Sequence, residues 1–111
     1  MTIEALWSAQ FGSDQQLYGA GVMVLETNRV LGGDGQYFYV GEYMVSGGQI
    51  HATIHVTHYA GMAESIFGLR DQFNVRLTGK VNDQSLSLNG ELVEDPDIKM
   101  RAILTRRAEL P

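Results

Sequence analysis

The chain has 111 residues, no cysteine and a formal charge of −5, which suits a single domain spanning residues 1–111 that buries roughly two thirds of its unfolded surface. Disulfide and thiolate chemistry are excluded, and 8 Lys and Arg against 13 Asp and Glu speak against direct binding to a nucleic-acid backbone, which wants clustered cations. The start, Met1 to Trp7, lacks a basic region followed by an apolar run, and no apolar stretch approaches the roughly 20 residues of a membrane helix, so no membrane association and a cytoplasmic location are expected.

The acidic excess lies in the first part of the chain. Residues 1–64 carry Glu4, Asp14, Glu26, Asp34, Glu42 and Glu64 against Arg29 alone. This reads either as an ordinary solvated surface or as a contact surface for a basic partner protein.

Taken in order, Ile3, Ala5, Trp7, Ala9 and Phe11 alternate with Glu4, Ser8 and Gln10, with Leu6 out of phase. That is a first strand, turned back by Gly12-Ser13-Asp14. Leu17 to Glu26 is a second, opening on Gly19, Ala20 and Gly21, small residues that mark sharp coiling or the close approach of another element. Thr27-Asn28 is a tight turn, Arg29 to Gly32 a short third strand, and Gly33-Asp34-Gly35 ends it. Gln36 to Val45 places Tyr37, Tyr39, Gly41 and Tyr43 on one side and Phe38, Val40, Glu42 and Met44 on the other.

After a hairpin at Ser46-Gly47-Gly48 comes the clearest strand, Gln49 to Tyr59. Ile50, Ala52, Ile54 and Val56 share one face, and His51, Thr53, His55 and Thr57 the other. Residues 60–71 break the rhythm and read as a longer apolar loop or a short helix, able to close the end of a barrel. Two further strands follow, with Phe73, Val75, Leu77, Gly79 and Val81, then Leu86, Leu88, Gly90 and Leu92, facing inward. Glu94-Asp95-Pro96-Asp97 reads as a turn, and Ile98, Met100, Ala102 and Leu104 face inward on the last strand. Lys99, Arg101 and Thr105 face outward there, with Ile103 an apolar exception. Eight antiparallel strands with one apolar face each form a sandwich or close as an up-and-down barrel. Closure removes exposed edges, so the fold class expected is an all-β, antiparallel eight-stranded barrel.

Little in the chain points to catalysis. His51 and His55 lie roughly 13 Å apart along a strand, too far to share one ion, and His58 points to the opposite face. No metal site is expected. Gly32-Gly33-Asp34-Gly35 leads into a strand and so lacks the helix N-terminus that holds a phosphate. Glu94, Asp95 and Asp97 lack the spacing of a calcium loop. With no nucleophile set and no inward carboxylate pair, neither an enzyme nor a cofactor is expected. His58, on the apolar face near a strand end, is either a rim histidine bonded to a loop or a polar anchor at a cavity mouth.

Gly32-Gly33-Asp34, Tyr39-Val40-Gly41 and the strand Ile50 to Tyr59 with its His-Val-x-His-Tyr ending together resemble the GrlR-like family. The likeness extends more thinly through Ile3 to Ser8, Gly19 to Val22, Ser85 to Leu88 and the closing strand. The resemblance implies a calycin-like, lipocalin-like barrel with an apolar cavity, a homodimer, and negative regulation of a type III secretion regulon by binding an activator rather than DNA. In that family an acidic run in the loop before the long strand is implicated in grasping the activator. Here the same place reads Ser46-Gly47-Gly48-Gln49, without charge, and no residue carries over.

The leading expectation is therefore a non-enzymatic regulator acting through protein contacts, with Glu42, Glu94, Asp95 and Asp97, and also Asp34, as the acidic surface for a basic regulatory protein. The alternative is a carrier or sensor of a small apolar ligand, to which Gly19, Gly21, Gly41, Ala52, Gly79, Gly90 and Ala102 would leave space. The outward residues Phe38, Val40 and Met44, extended by Ile103, form the candidate dimer patch. The competing arrangement has residues 60–71 folded back over that wall.

Overall fold

Period-two alternation of apolar residues governs nearly every strand in the computed structural model, which describes residues 2–13, 16–65 and 67–111, without the side chains of Tyr18 and Glu64. Ten strands run in chain order: β1 (Ala5–Gly12), β2 (Leu17–Glu26), β3 (Arg29–Gly33), β4 (Tyr37–Ser46), β5 (Gln49–His58), β6 (Glu64–Ser65), β7 (Gly68–Leu69), β8 (Gln72–Lys80), β9 (Ser85–Leu92) and β10 (Asp95–Ala108). Eight of them close an antiparallel barrel in the order β1-β2-β3-β4-β5-β8-β9-β10, with β10 returning to β1. This is the up-and-down barrel expected from the alternation, of the calycin-like kind that the resemblance implies.

Two details differ from the sequence reading. Residues 60–71 hold no helix among those described; they form a loop carrying the short β6–β7 hairpin. The turn before the last strand is Val93-Glu94, and Asp95 to Asp97 already belong to β10, where the pairing slips between Asp95 and Lys99. An extra stretch of chain in one strand is a bulge, so the carboxylates and Pro96 sit on an irregular strand start. Asp14 and Ile66 lie outside the described residues.

Two hairpins use two-residue turns whose twist matches the strands and which need positive φ at both positions. Gly47 and Gly48 supply it freely at 60° and 76°; Thr27 and Asn28 adopt 53° and 64° at a steric cost. Their neighbours offset that cost. The Thr27 amide donates to Glu4 Oε2 at 2.7 Å, and Asn28 Nδ2 donates to the Tyr43 carbonyl at 3.2 Å.

The two ends of the bore differ. At the end formed by the β2–β3 and β4–β5 turns, Trp7, Leu25, Val30, Ile50, Leu86 and Leu104 are essentially inaccessible to solvent. Ala5 and Ala9, on either side of Trp7 on the same face of β1, make room for the indole. Arg106 covers that end: its guanidinium lies 5.7 Å from the indole centroid and donates to the Thr2 carbonyl at 2.8 Å, clasping the two termini together. The opposite end, where the 34–36 turn and the 59–71 loop lie, is open.

Candidate functional site

The open end leads into a cavity of about 550 Å³. Its walls are Met23, Ile54, Val56, Phe73, Val75, Leu77 and Met100, with the small Gly19 and Ala102 among them; its mouth is formed by Phe11, Asp34, Gln36, Tyr37, Tyr39, Ser65 and Phe67. The volume exists because Trp7, Leu25, Val30, Ile50, Leu86 and Leu104 fill the closed end and β2 enters the bore on glycines. Phe11 lies across Gly19, and the Tyr39 hydroxyl comes so near Gly21 that a methyl group there would sit 2.7 Å from it. The two rings meet edge to face with centroids 6.3 Å apart.

Of the seven small inward residues expected to leave space, Gly19 and Ala102 line this cavity. The other glycines are small for another reason. A Cβ at Gly41 would meet the Thr53 carbonyl oxygen at 2.2 Å, and one at Gly79 the Ser87 carbonyl oxygen at 2.4 Å, so neighbouring strands already occupy the room.

Asp34 is the polar centre of the mouth. Its Oδ1 accepts from the amides of Gln36 and Tyr37, each at 2.8 Å, and its Oδ2 accepts from the Tyr39 hydroxyl. The acidic surface inferred from sequence therefore loses Asp34, whose carboxylate caps its own turn and lines the bore. Burial pushes the Tyr39 phenol far above its ordinary range, and the bond to Asp34 acts in the same direction.

A testable consequence concerns alkaline stability. Unfolded Tyr39 loses its proton above about pH 10 while folded Tyr39 keeps it, so the folded state binds more protons there and stability falls as pH rises. The contribution is fully present below about pH 10 and declines by about 1 kcal/mol by about pH 11. Urea unfolding of the native chain and of Tyr39→Phe measures it: the native chain should lose more stability across that interval. Parallel losses would contradict the buried, proton-retaining phenol.

His58 does not line the cavity. Its Nε2 donates to the Gly61 carbonyl at 2.8 Å, its Nδ1 lies 3.6 Å from Asp71, and its ring leans on Tyr37. It ties the 59–71 loop to the barrel rim. Tyr59 joins the same rim by donating from its hydroxyl to the Asp34 carbonyl at 2.6 Å, and Tyr37 donates likewise to the Arg70 carbonyl at 2.8 Å. Phe67 packs edge-on against Phe73, so the loop narrows the mouth without sealing it.

The outer wall carries a second feature. Cross-strand register sets Leu6, Val24, Leu31 and Val40 in one row over β1 to β4, and Val22, Gly33 and Phe38 in the next. Phe38 is 42% exposed, Leu31 44%, Val40 46%, Val22 50% and Met44 58%. The out-of-phase Leu6 thus belongs to an outer apolar row. The described residues between 60 and 71 leave this wall uncovered, and Tyr59 touches it at Phe38. Ile103 is not beside Phe38, Val40 and Met44: β10 is four strands from β4 in either direction around the barrel, and Ile103 pairs with Gln10 next to the β1 end of the rows.

Glu42 stands on this outer wall, cross-strand from Arg29 and Thr53. Glu94 is engaged elsewhere, accepting from the Asn74 amide at 2.9 Å and from Asn74 Nδ2 at 3.0 Å, while Asn74 Oδ1 meets His55 Nδ1 at 2.8 Å. Asp95 and Asp97 are exposed beside the mouth. Of the four acidic candidates, Glu42 stands within β4, while Glu94, Asp95 and Asp97 lie close together around the start of β10, with Glu94 held by Asn74. His51 and His55 lie on the outer face of β5, and no group of three acidic or histidine side chains among the described residues is placed to hold a metal ion. No helix among the described residues is long and apolar enough to cross a membrane.

Comparison with protein-family models and with curated proteins finds no match for this chain.

Proposed function

We propose that the protein binds one small, mainly apolar molecule in its bore, as a carrier or sensor. The observation that carries this reading is the open cavity of about 550 Å³ in a barrel whose other end is packed tight. An eight-stranded barrel is just wide enough to be filled by its own side chains or to hold one small ligand, and this volume falls within the range of small-molecule sites.

Fluorescence titration with the neutral dye N-phenylnaphthylamine tests it. Saturable one-to-one binding with Kd on the order of micromolar is expected. Ala102→Phe should weaken it at least about tenfold, because the added ring occupies the space the ligand needs. Ala102 is 2% exposed and lines the cavity, so the new ring has an open volume to enter and the barrel's circular dichroism should persist. A native chain that binds neither the dye nor other apolar probes would end this reading.

A second reading, a regulator acting through protein contacts, is favoured by a separate observation: the uncovered apolar rows on β1 to β4. The resemblance to the GrlR-like family supports it. The occupant proposed for the wall is a second copy of the chain. Arg29 and Glu42 stand cross-strand beside the apolar rows, both exposed, and a two-fold contact can set each against its opposite on the other copy. Repression of an activator, if the likeness extends so far, would use surfaces other than the uncharged 46–49 loop.

A further inference from the structure

We infer that the bore selects a cationic amphiphile, an apolar body ending in an ammonium group seated against Asp34 and ringed by Phe11, Tyr37, Tyr39 and Phe67. This rests on the reading of the bore as a binding site and names the chemistry of its ligand.

The lining divides along its length. Apart from Phe73 it is aliphatic below the mouth, and among the described residues the charged side chain in the lining is the Asp34 carboxylate, with no Lys or Arg. All three donors to that carboxylate are neutral: two backbone amides and one phenol. Among the described residues no cationic nitrogen lies within ion-pair distance of it. A carboxylate offers about four lone-pair positions. Three are taken here, which leaves one on Oδ2 for a donor brought by the ligand.

The surroundings act in the same sense. Four aromatic side chains form the mouth, and their ring faces attract cations, as in the aromatic cages that hold alkylated ammonium groups. The described loop residues at this end and the irregular start of β10 carry Asp71, Glu94, Asp95 and Asp97 in addition to Asp34, against Arg70. The potential at the opening is accordingly negative, and a low-dielectric bore focuses it. A fatty acid would bring its carboxylate against Asp34 with no cation to compensate. An alcohol would gain a neutral hydrogen bond, whereas an ammonium gains a charge-assisted one.

The test is calorimetric titration of the full chain with decylamine, decyltrimethylammonium, decanol and decanoate, each below its aggregation concentration. Both cations should bind at least about tenfold more tightly than decanol, with decanoate weakest. Decylamine does so through a charge-assisted N–H bond to Asp34, and decyltrimethylammonium, which has no N–H, through the carboxylate's charge and the aromatic mouth. Asp34→Asn keeps the acceptor for the two turn amides, and its Nδ2 can donate to the Tyr39 hydroxyl oxygen in place of the bond that Oδ2 accepts. It should leave decanol within about twofold of its native affinity and remove most of the cations' advantage. Raising salt from about 20 mM to about 500 mM on the native chain should weaken cation binding and spare decanol, which gives a readout independent of the variant. Decanoate binding as tightly as the cations, or a cation advantage that survives Asp34→Asn, overturns the ammonium assignment while leaving the bore a ligand site. Absence of binding by all four compounds overturns both.

Discussion

Trp7→Ala should cost about 4 kcal/mol of folding stability, a large fraction of the 5–15 kcal/mol typical of a domain. The indole is fully buried, and its Nε1 donates to the Ile3 carbonyl at 2.9 Å. Truncation removes the largest side chain of the closed end, and its neighbours Ala5 and Ala9 are too small to collapse into the hole. It also strands the Ile3 carbonyl, for about 1 kcal/mol more, and removes the surface on which Arg106 rests. Urea unfolding followed by circular dichroism is the suitable measurement, because Trp7 is the sole tryptophan and the variant has no indole fluorescence. A loss below about 1 kcal/mol would mean the closed end does not depend on this residue. Trp7→Phe keeps most of the volume and should cost about 1–2 kcal/mol. Since Trp7 is not part of the cavity lining, that milder variant should bind the neutral dye as the native chain does.

The strand faces were legible because alternation is a local property. Every residue from Ile50 to Val56 that is apolar by period two is buried, and Tyr37, Tyr39 and Tyr43 face inward as Gly41 beside them suggested. What local pattern cannot show is which strands lie across the barrel from one another. Ile103 looked like a neighbour of Phe38 and Val40 through shared outward apolarity, and only closure of the sheet puts half the circumference between them. Glycine was ambiguous for the same reason: inward glycines at 41 and 79 answer to the backbone of the adjacent strand, and Gly19 to the ring it admits. Asp34 followed a glycine pair in what read as a simple turn. The signal that could have found it is the spacing to Tyr39, an inward tyrosine five residues on, able to reach back to the turn. The charge imbalance was read along the chain, between residues 1–64 and the remainder. In space, acidic side chains from both parts gather at the open end of the barrel.

Val40→Lys should abolish self-association, weakening it at least about 100-fold while leaving the barrel intact. Val40 ends the outer apolar row on β4, beside Leu31 on β3, cross-strand from His55 on β5 and two residues from Phe38 on the same face. In a two-fold contact each substitution acts twice, so a dimer would bury two ammonium groups against aliphatic surface, and a buried charge without a partner costs several kcal/mol. The side chain is 46% exposed in the single chain, so the lysine meets water there and the circular dichroism should be unchanged. Sedimentation at micromolar concentration reads the outcome. The native chain should run as twice its mass, and a single species of 12.3 kDa would end the proposal of a dimer. Ile103→Lys provides the contrast, since it places the same charge half the circumference from Val40 and beyond the β1 edge of the rows, and should leave the dimer whole. Dissociation by Ile103→Lys together with persistence in Val40→Lys would move the interface from β1–β4 to the wall around β10. Because both residues lie outside the bore, neither change should alter binding of the neutral dye, which separates the contact surface from the ligand site in one pair of variants.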